Sequence, residues 1–192
     1  MALPKDYIGY LASELAKRLE KSGKVKITEM SPVTARIQQL FMDDSAREDQ
    51  LNQEVREYLS QYSEQIRRDG ISYQEMHQMV KRELMKKYKM IQSRGRGPDG
   101  GRLSRDKIIE LSHSLVNGLA SVPQVSLAVE KNEVRLEIMR QIQALIQQEA
   151  AIDQSVRQKI KSQKREIGEG TDEWDILFRK YYSEEMRKLG VQ

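Results

Sequence analysis

Ile152-Asp153-Gln154-Ser155-Val156-Arg157-Gln158-Lys159-Ile160 repeats an order of residue types already used at Leu51-Asn52-Gln53-Glu54-Val55-Arg56-Glu57-Tyr58-Leu59. Each stretch runs apolar, Asx, Gln, polar, Val-Arg, two further residues, apolar. The echo extends along the chain. At an offset of 100, Leu3, Asp6, Ile8, Leu11, Leu15, Leu19 and Val25 match Leu103, Asp106, Ile108, Leu111, Leu115, Leu119 and Val125. At an offset of 101, Val33, Ile37, Glu48, Gln53, Val55, Arg56, Ile66, Glu83, Met85 and Lys87 match Val134, Ile138, Glu149, Gln154, Val156, Arg157, Ile167, Glu184, Met186 and Lys188, and Tyr73 falls opposite Trp174. One inserted residue near Ser126–Asn132 explains the change of offset. The period is too long for a solenoid. It predicts two tandem domains of about 85–90 residues: a first copy over 1–91, a Gly/Arg-rich linker over 92–102, and a second copy over 103–192.

Most matched positions are apolar at helical spacing, which is the mark of a shared core. The matched polar pairs, Asp6/Asp106, Glu48/Glu149, Gln53/Gln154 and Arg56/Arg157, point to caps or ion pairs within each copy, or to a shared binding surface.

The fold class expected is mainly all-α. Each copy is read as four helices with one short extended segment between the first and second. In the first copy, Ile8, Leu11, Leu15 and Leu19 stripe a helix over 5–21, ended near Gly23. Lys24-Val25-Lys26-Ile27-Thr28 alternates as a strand does. Ser31-Pro32 is expected to open the second helix, with Val33, Ile37, Leu40 and Phe41 inward. The acidic patch Asp43–Asp49 is expected to form a solvated turn or helix start before a third helix carrying Leu51, Val55, Leu59, Tyr62 and Ile66. Ser72 and Glu75 spell a capping box for the fourth, whose stripe is Tyr73, Met76, Val80 and Leu84. His77 lies off that stripe and reads as a surface histidine.

The second copy repeats the plan. Ser104 is expected to cap its first helix, Asn132 the second and Thr171 the fourth. Gln124–Val129 alternates as a strand. A lone strand leaves backbone groups unpaired, so Val25–Ile27 is expected to pair with Val125–Leu127.

Composition narrows the function classes. The 192 residues are 38% hydrophobic and 32% charged, with a net charge of +4. That suits slim helices with one apolar stripe and wide solvated faces. There is no cysteine, hence no disulfide, thiolate nucleophile or Cys-ligated zinc. No apolar run approaches membrane-spanning length, and a cytoplasmic location is expected. Two histidines and no nucleophile elbow leave little catalytic machinery. Glu149, Glu184 and Glu185 read as solvated carboxylates. Gly95, Gly97 and Gly100 spell G-x-G-x-x-G, but a charged helix precedes them and Pro98 interrupts them, so the stretch reads as linker. No metal, cofactor or catalytic residue is expected, and the chain is read as a non-enzyme.

Two binding readings follow. The first is a non-enzymatic adaptor with an unidentified protein partner, using two similar faces and an adaptable groove from Met76, Met79, Met85 and Met90. The alternative is RNA or DNA binding. Arg157, Lys159, Lys161, Lys164 and Arg165 follow one another with no acid before Glu166, and Lys81 to Arg96 holds seven Lys/Arg against Glu83. The candidate surface comprises Arg56, Arg157, Lys159, Lys161, Lys164, Arg165, Lys86, Lys87, Lys89, Arg94 and Arg96. Against it, Arg56 to Gln65 carries Glu57 and Glu64.

The second copy also carries familiar motifs. Arg102-Leu103-Ser104-Arg105-Asp106-Lys107, Asn132-Glu133-Val134-Arg135-Leu136-Glu137-Ile138, Ile152-Asp153 with Val156–Ile160, and Gly170-Thr171-Asp172-Glu173-Trp174-Asp175-Ile176-Leu177 with Lys180-Tyr181-Tyr182 resemble a small bacterial family catalogued as domain of unknown function 507. The resemblance covers residues 102–190. The first copy is divergent: Tyr73 replaces Trp174, and Met79-Val80-Lys81 replaces Lys180-Tyr181-Tyr182. The resemblance implies a small, helical, cytosolic protein and carries no activity or site residues.

Overall fold

A computed structural model describes residues 5–62, 70, 72–91, 103–163 and 167–190. Among them are six helices and one two-stranded sheet: α1 (Lys5–Lys21), β1 (Val25–Ile27), α2 (Met30–Gln61), α3 (Tyr73–Lys87), α4 (Arg105–Ala120), β2 (Val125–Leu127), α5 (Lys131–Lys161) and α6 (Asp172–Lys188). The fold is all-α apart from that small sheet.

Each half therefore has three described helices, where four were expected. The second and third expected helices of each half are one continuous helix. The reason is local. Neither 33–61 nor 131–161 contains a Gly or Pro, and acidic residues alone do not break a helix. Asp43 accepts from Gln39 Nε2 at 2.6 Å along the same helix instead of opening a turn. The two long helices start earlier than their cap spellings suggested. Glu29 and Glu130 occupy the cap positions with no side-chain bond. Pro32 falls in the first turn of α2, where a missing N–H costs nothing, and Asn132 accepts from Arg135 rather than capping.

Other caps are as expected. Ser72 and Glu75 complete a capping box. Ser104 accepts from Lys107 N, and Thr171 from Trp174 N. Gly23, at φ +72°, closes α1 in the left-handed conformation that glycine adopts without strain.

β1 and β2 pair antiparallel, as the unpaired-strand argument required: Val25 with Leu127, Lys26 with Ser126, Ile27 with Val125. Thr28 N to Gln124 O at 3.0 Å and Ala128 N to Lys24 O at 2.9 Å extend the ladder. Lys26 and Ser126, equivalent at offset 100, are each other's partners.

The packing crosses the halves. α1 lies against α2 and α5, and α4 lies against α5 and α2. One apolar cluster takes Ile8, Leu11, Leu15 and Leu19 from α1, Val33, Ile37 and Phe41 from α2, and Leu111, Leu115 and Leu119 from α4. α5 enters it along its length, from Val134 to Ile160, and α6 through Trp174, Tyr182 and Met186. The core is thus common to both halves. Where Gly118 of α4 meets α2, an added Cβ would lie 2.6 Å from Leu40 Cδ1, so the helices approach closely there.

At about 1.5 Å per residue, α2 is about 48 Å long. Its N-terminal part enters the common core, while Val55 and Leu59 form a separate small cluster with Met76, Val80 and Leu84 of α3. α3 itself contains no buried residue. The C-terminal part of α2 and α3 therefore form an arm beside the core.

Candidate interaction surface

The arm is pinned by polar bonds at its base. Lys81 Nζ donates to Asn52 Oδ1 at 2.7 Å and lies 3.8 Å from Glu48 Oε1. Tyr88 donates to Glu54 Oε1 at 2.6 Å. In the second half, the place of the Lys81–Glu48 pair is taken by Tyr182, which donates to Glu149 Oε1 at 3.1 Å. Glu149 is fully buried there, not solvated as its sequence context suggested. The correction has a simple cause: packing of α6 on α5 covers a face that residue spacing alone leaves unassigned.

The structure divides the eleven candidate cations. Arg157 is engaged internally: Nε bonds Asp153 Oδ2 at 2.6 Å, Nη1 bonds Glu169, and the guanidinium lies 5.5 Å from the Phe178 ring centre. Lys159 bonds Glu184 Oε2 at 2.8 Å and sits 4.0 Å from the Tyr181 ring centre. These two cations, both still partly exposed, fasten α5 to α6 and the turn before it. Lys161 is exposed at the end of α5. Lys164, Arg165, Arg94 and Arg96 lie outside the described residues.

The remaining four lie on the arm. Lys86 pairs with Glu83 at 2.8 Å, and Lys87 lies 5.3 Å from the Tyr88 ring centre. Lys89 follows the end of α3 with φ +52°. Arg56 is exposed and has no ion-pair partner among the described residues.

The arm also carries residues that the basic-track reading omitted. Of the seven exposed large hydrophobic side chains among the described residues, five are on it: Tyr58, Tyr62, Tyr73, Met79 and Tyr88, between 42% and 57% exposed. The Tyr58 and Tyr62 rings lie 5.0 Å apart. Tyr73, expected inside the stripe of α3, is instead exposed, with its ring centre 6.3 Å from that of His77. His77 is half-buried rather than a free surface residue. Burial first, and then the charges of Lys81 and Arg56, hold its pKa below the ordinary value. The signal available in the sequence was the i, i+4 spacing of Tyr58/Tyr62 and Tyr73/His77, which by itself does not separate a packed face from an open one. The methionines of the expected groove divide similarly: Met79 is exposed, and Met76, Met85 and Met90 are half-buried.

Among the described residues, no group of three or more His, Asp or Glu side chains is placed to hold a metal ion. No described helix is long and apolar enough to cross a membrane. No curated protein matches the chain. A family model described as "Protein of unknown function (DUF507)" matches residues 1–191, where the resemblance had rested on 102–190, and the chain belongs to that family as one unit spanning both halves.

Proposed function

We propose that the chain is a non-enzymatic interaction protein, with the common core as scaffold and the α2–α3 arm as contact surface. The observation that carries this reading is the concentration of exposed tyrosines and Met79 on the one hairpin that contributes little to the core. Tyrosine and methionine are enriched at recognition surfaces, tyrosine because it offers large contact area at low ordering cost and methionine because it adapts its shape.

Internal duplication accounts for how such an arm arose. It is supported by the strand register, by the exchanged packing of α1 and α4, and by matched cross-half bonds. Tyr7 donates to Leu145 O at 2.5 Å, and at the equivalent positions Lys107 donates to Asp44 Oδ1 at 2.5 Å. One copy keeps its last helix in the core through Trp174, Tyr182 and Met186. The other places Tyr73, Lys81 and Met85 at those positions, and its last helix is released for contact.

The test is co-purification with the full tagged chain against the variant carrying Tyr58→Ser, Tyr62→Ser and Tyr73→Ser. All three sites are exposed, so the fold is expected to persist, checked by circular dichroism. Loss of bound macromolecules from the variant supports the reading. Retention of the same set by a folded variant defeats it.

A further inference from the structure

The repeat provides an internal comparison at the arm. Arg56, Tyr73 and His77 correspond to Arg157, Trp174 and Phe178 at the same offset. In the second half this constellation is closed: the Arg157 guanidinium lies by the Phe178 ring and is satisfied by Asp153 and Glu169. In the first half both acids are gone. Asn52 stands at the position of Asp153, and its side chain is bonded to Lys81. Arg68, outside the described residues, stands at the position of Glu169. The guanidinium is kept, rings stand at both following positions, and the internal anions that neutralise its counterpart are not.

We propose that this flank of the arm, Arg56 with Tyr73 and His77, binds single-stranded nucleic acid, with a backbone phosphate at Arg56 and a base stacked on Tyr73. The proposal rests on the arm being the contact surface. Arg56, with no carboxylate partner among the described residues, keeps a fork of donors that matches phosphate geometry. The exposed Tyr73 ring, centred 6.3 Å from that of His77, offers a π-face that any base can use. Burial first, and then the charges of Lys81 and Arg56, lower the His77 pKa, so both cations act on the imidazole.

Charge complementarity extends beyond the site. From Lys81 to Lys89 the described chain carries Lys81, Arg82, Lys86, Lys87 and Lys89 against Glu83. That favours a polyanion over a neutral or basic protein surface. A duplex would use the cations but leave the rings idle, since its bases are already stacked.

The test is fluorescence anisotropy with the full chain and labelled oligo-U and oligo-dT of about 20 nucleotides, beside a duplex of equal length, at about 50 and about 200 mM salt. Single strands are expected to bind more tightly than the duplex. With two or three phosphate contacts, the fourfold salt step is expected to weaken binding about 7- to 20-fold. Arg56→Gln and Tyr73→Ala are each expected to weaken it about tenfold. Asn52→Asp, which returns an internal carboxylate to Arg56, is expected to weaken it in the same direction, while Lys161→Gln leaves it unchanged.

Absence of binding at the lower salt overturns the nucleic-acid inference. The arm reading is then decided separately by co-purification, where an arm-dependent protein partner would replace this proposal. Binding unaffected by Arg56→Gln and Tyr73→Ala overturns the site. Equal affinity for duplex and single strand, with no effect of Tyr73→Ala, overturns the stacking role.

Discussion

Lys107 of α4 places its ammonium 2.5 Å from Asp44 Oδ1 of α2 and 2.7 Å from Glu110 Oε2, with the lysine side chain almost fully buried. Burial opposes its charge, but the bonds from Asp44 and Glu110 hold its pKa above the ordinary lysine value. The pair crosses from one half of the chain to the other. Removing one member leaves the other charge with a poor replacement for water. Lys107→Met is expected to destabilise the protein by about 3 kcal/mol. Adding Asp44→Leu is expected to recover much of that loss. Urea unfolding of the two variants checks both, and a double variant no better than the single would mean that Asp44 is solvated after the lysine is removed.

Glu137 gives a pH dependence of known sign. It is buried on α5 and bonded by Lys24 at 3.0 Å, Arg140 at 2.6 Å and Gln141 at 2.7 Å. Burial raises its pKa, but these bonds outweigh it and bring the group down to about 2. Because the folded value lies below the unfolded one, the contribution is fully present above the ordinary carboxylate range and is lost as pH falls toward 2. Unfolding midpoints measured from pH 7 down to pH 3 are expected to fall less steeply for Glu137→Gln than for the native chain, with the variant less stable at pH 7. Parallel curves would assign the acid sensitivity to other carboxylates.

The last helix of each half is held differently. Trp174 is buried, whereas its counterpart Tyr73 is exposed. Trp174→Ala is expected to cost about 3–5 kcal/mol, and Tyr73→Ala to stay within about 0.5 kcal/mol. Backbone amides of α3 are expected to exchange with solvent well before those of α6. Hydrogen exchange read by mass spectrometry distinguishes the two helices, and equal protection would contradict the separation of the arm from the core.

Gly118 tests the close crossing of α2 and α4. Gly118→Leu forces a side chain into the space held by Leu40, and is expected to destabilise by about 1–3 kcal/mol. Leu40→Ala in the same chain is expected to restore part of the loss. Thermal unfolding of the single and double variants gives the coupling between the two positions.

Much of this architecture is legible in the residues alone. The stripe Ile8, Leu11, Leu15, Leu19 and its repeat at Ile108, Leu111, Leu115, Leu119 determined which helix faces are apolar. Ser72 with Glu75, Ser104 and Thr171 determined where three helices begin, because a cap is a bond between near neighbours. The pairing of Val25–Ile27 with Val125–Leu127 followed from the need of each strand for a partner. What tertiary structure decided is what covers each face. Helical spacing identifies a stripe at Val55 and Leu59 as readily as one at Val156 and Ile160, yet among the described residues the former cluster with α3 and the latter reach the common core. The same limit hid the burial of Glu149 and the bonds of Arg157 to Glu169 and of Lys159 to Glu184, which lie on other elements. It also hid the exposure of Tyr73, since a ring is inward or outward only with respect to a neighbour that packing supplies.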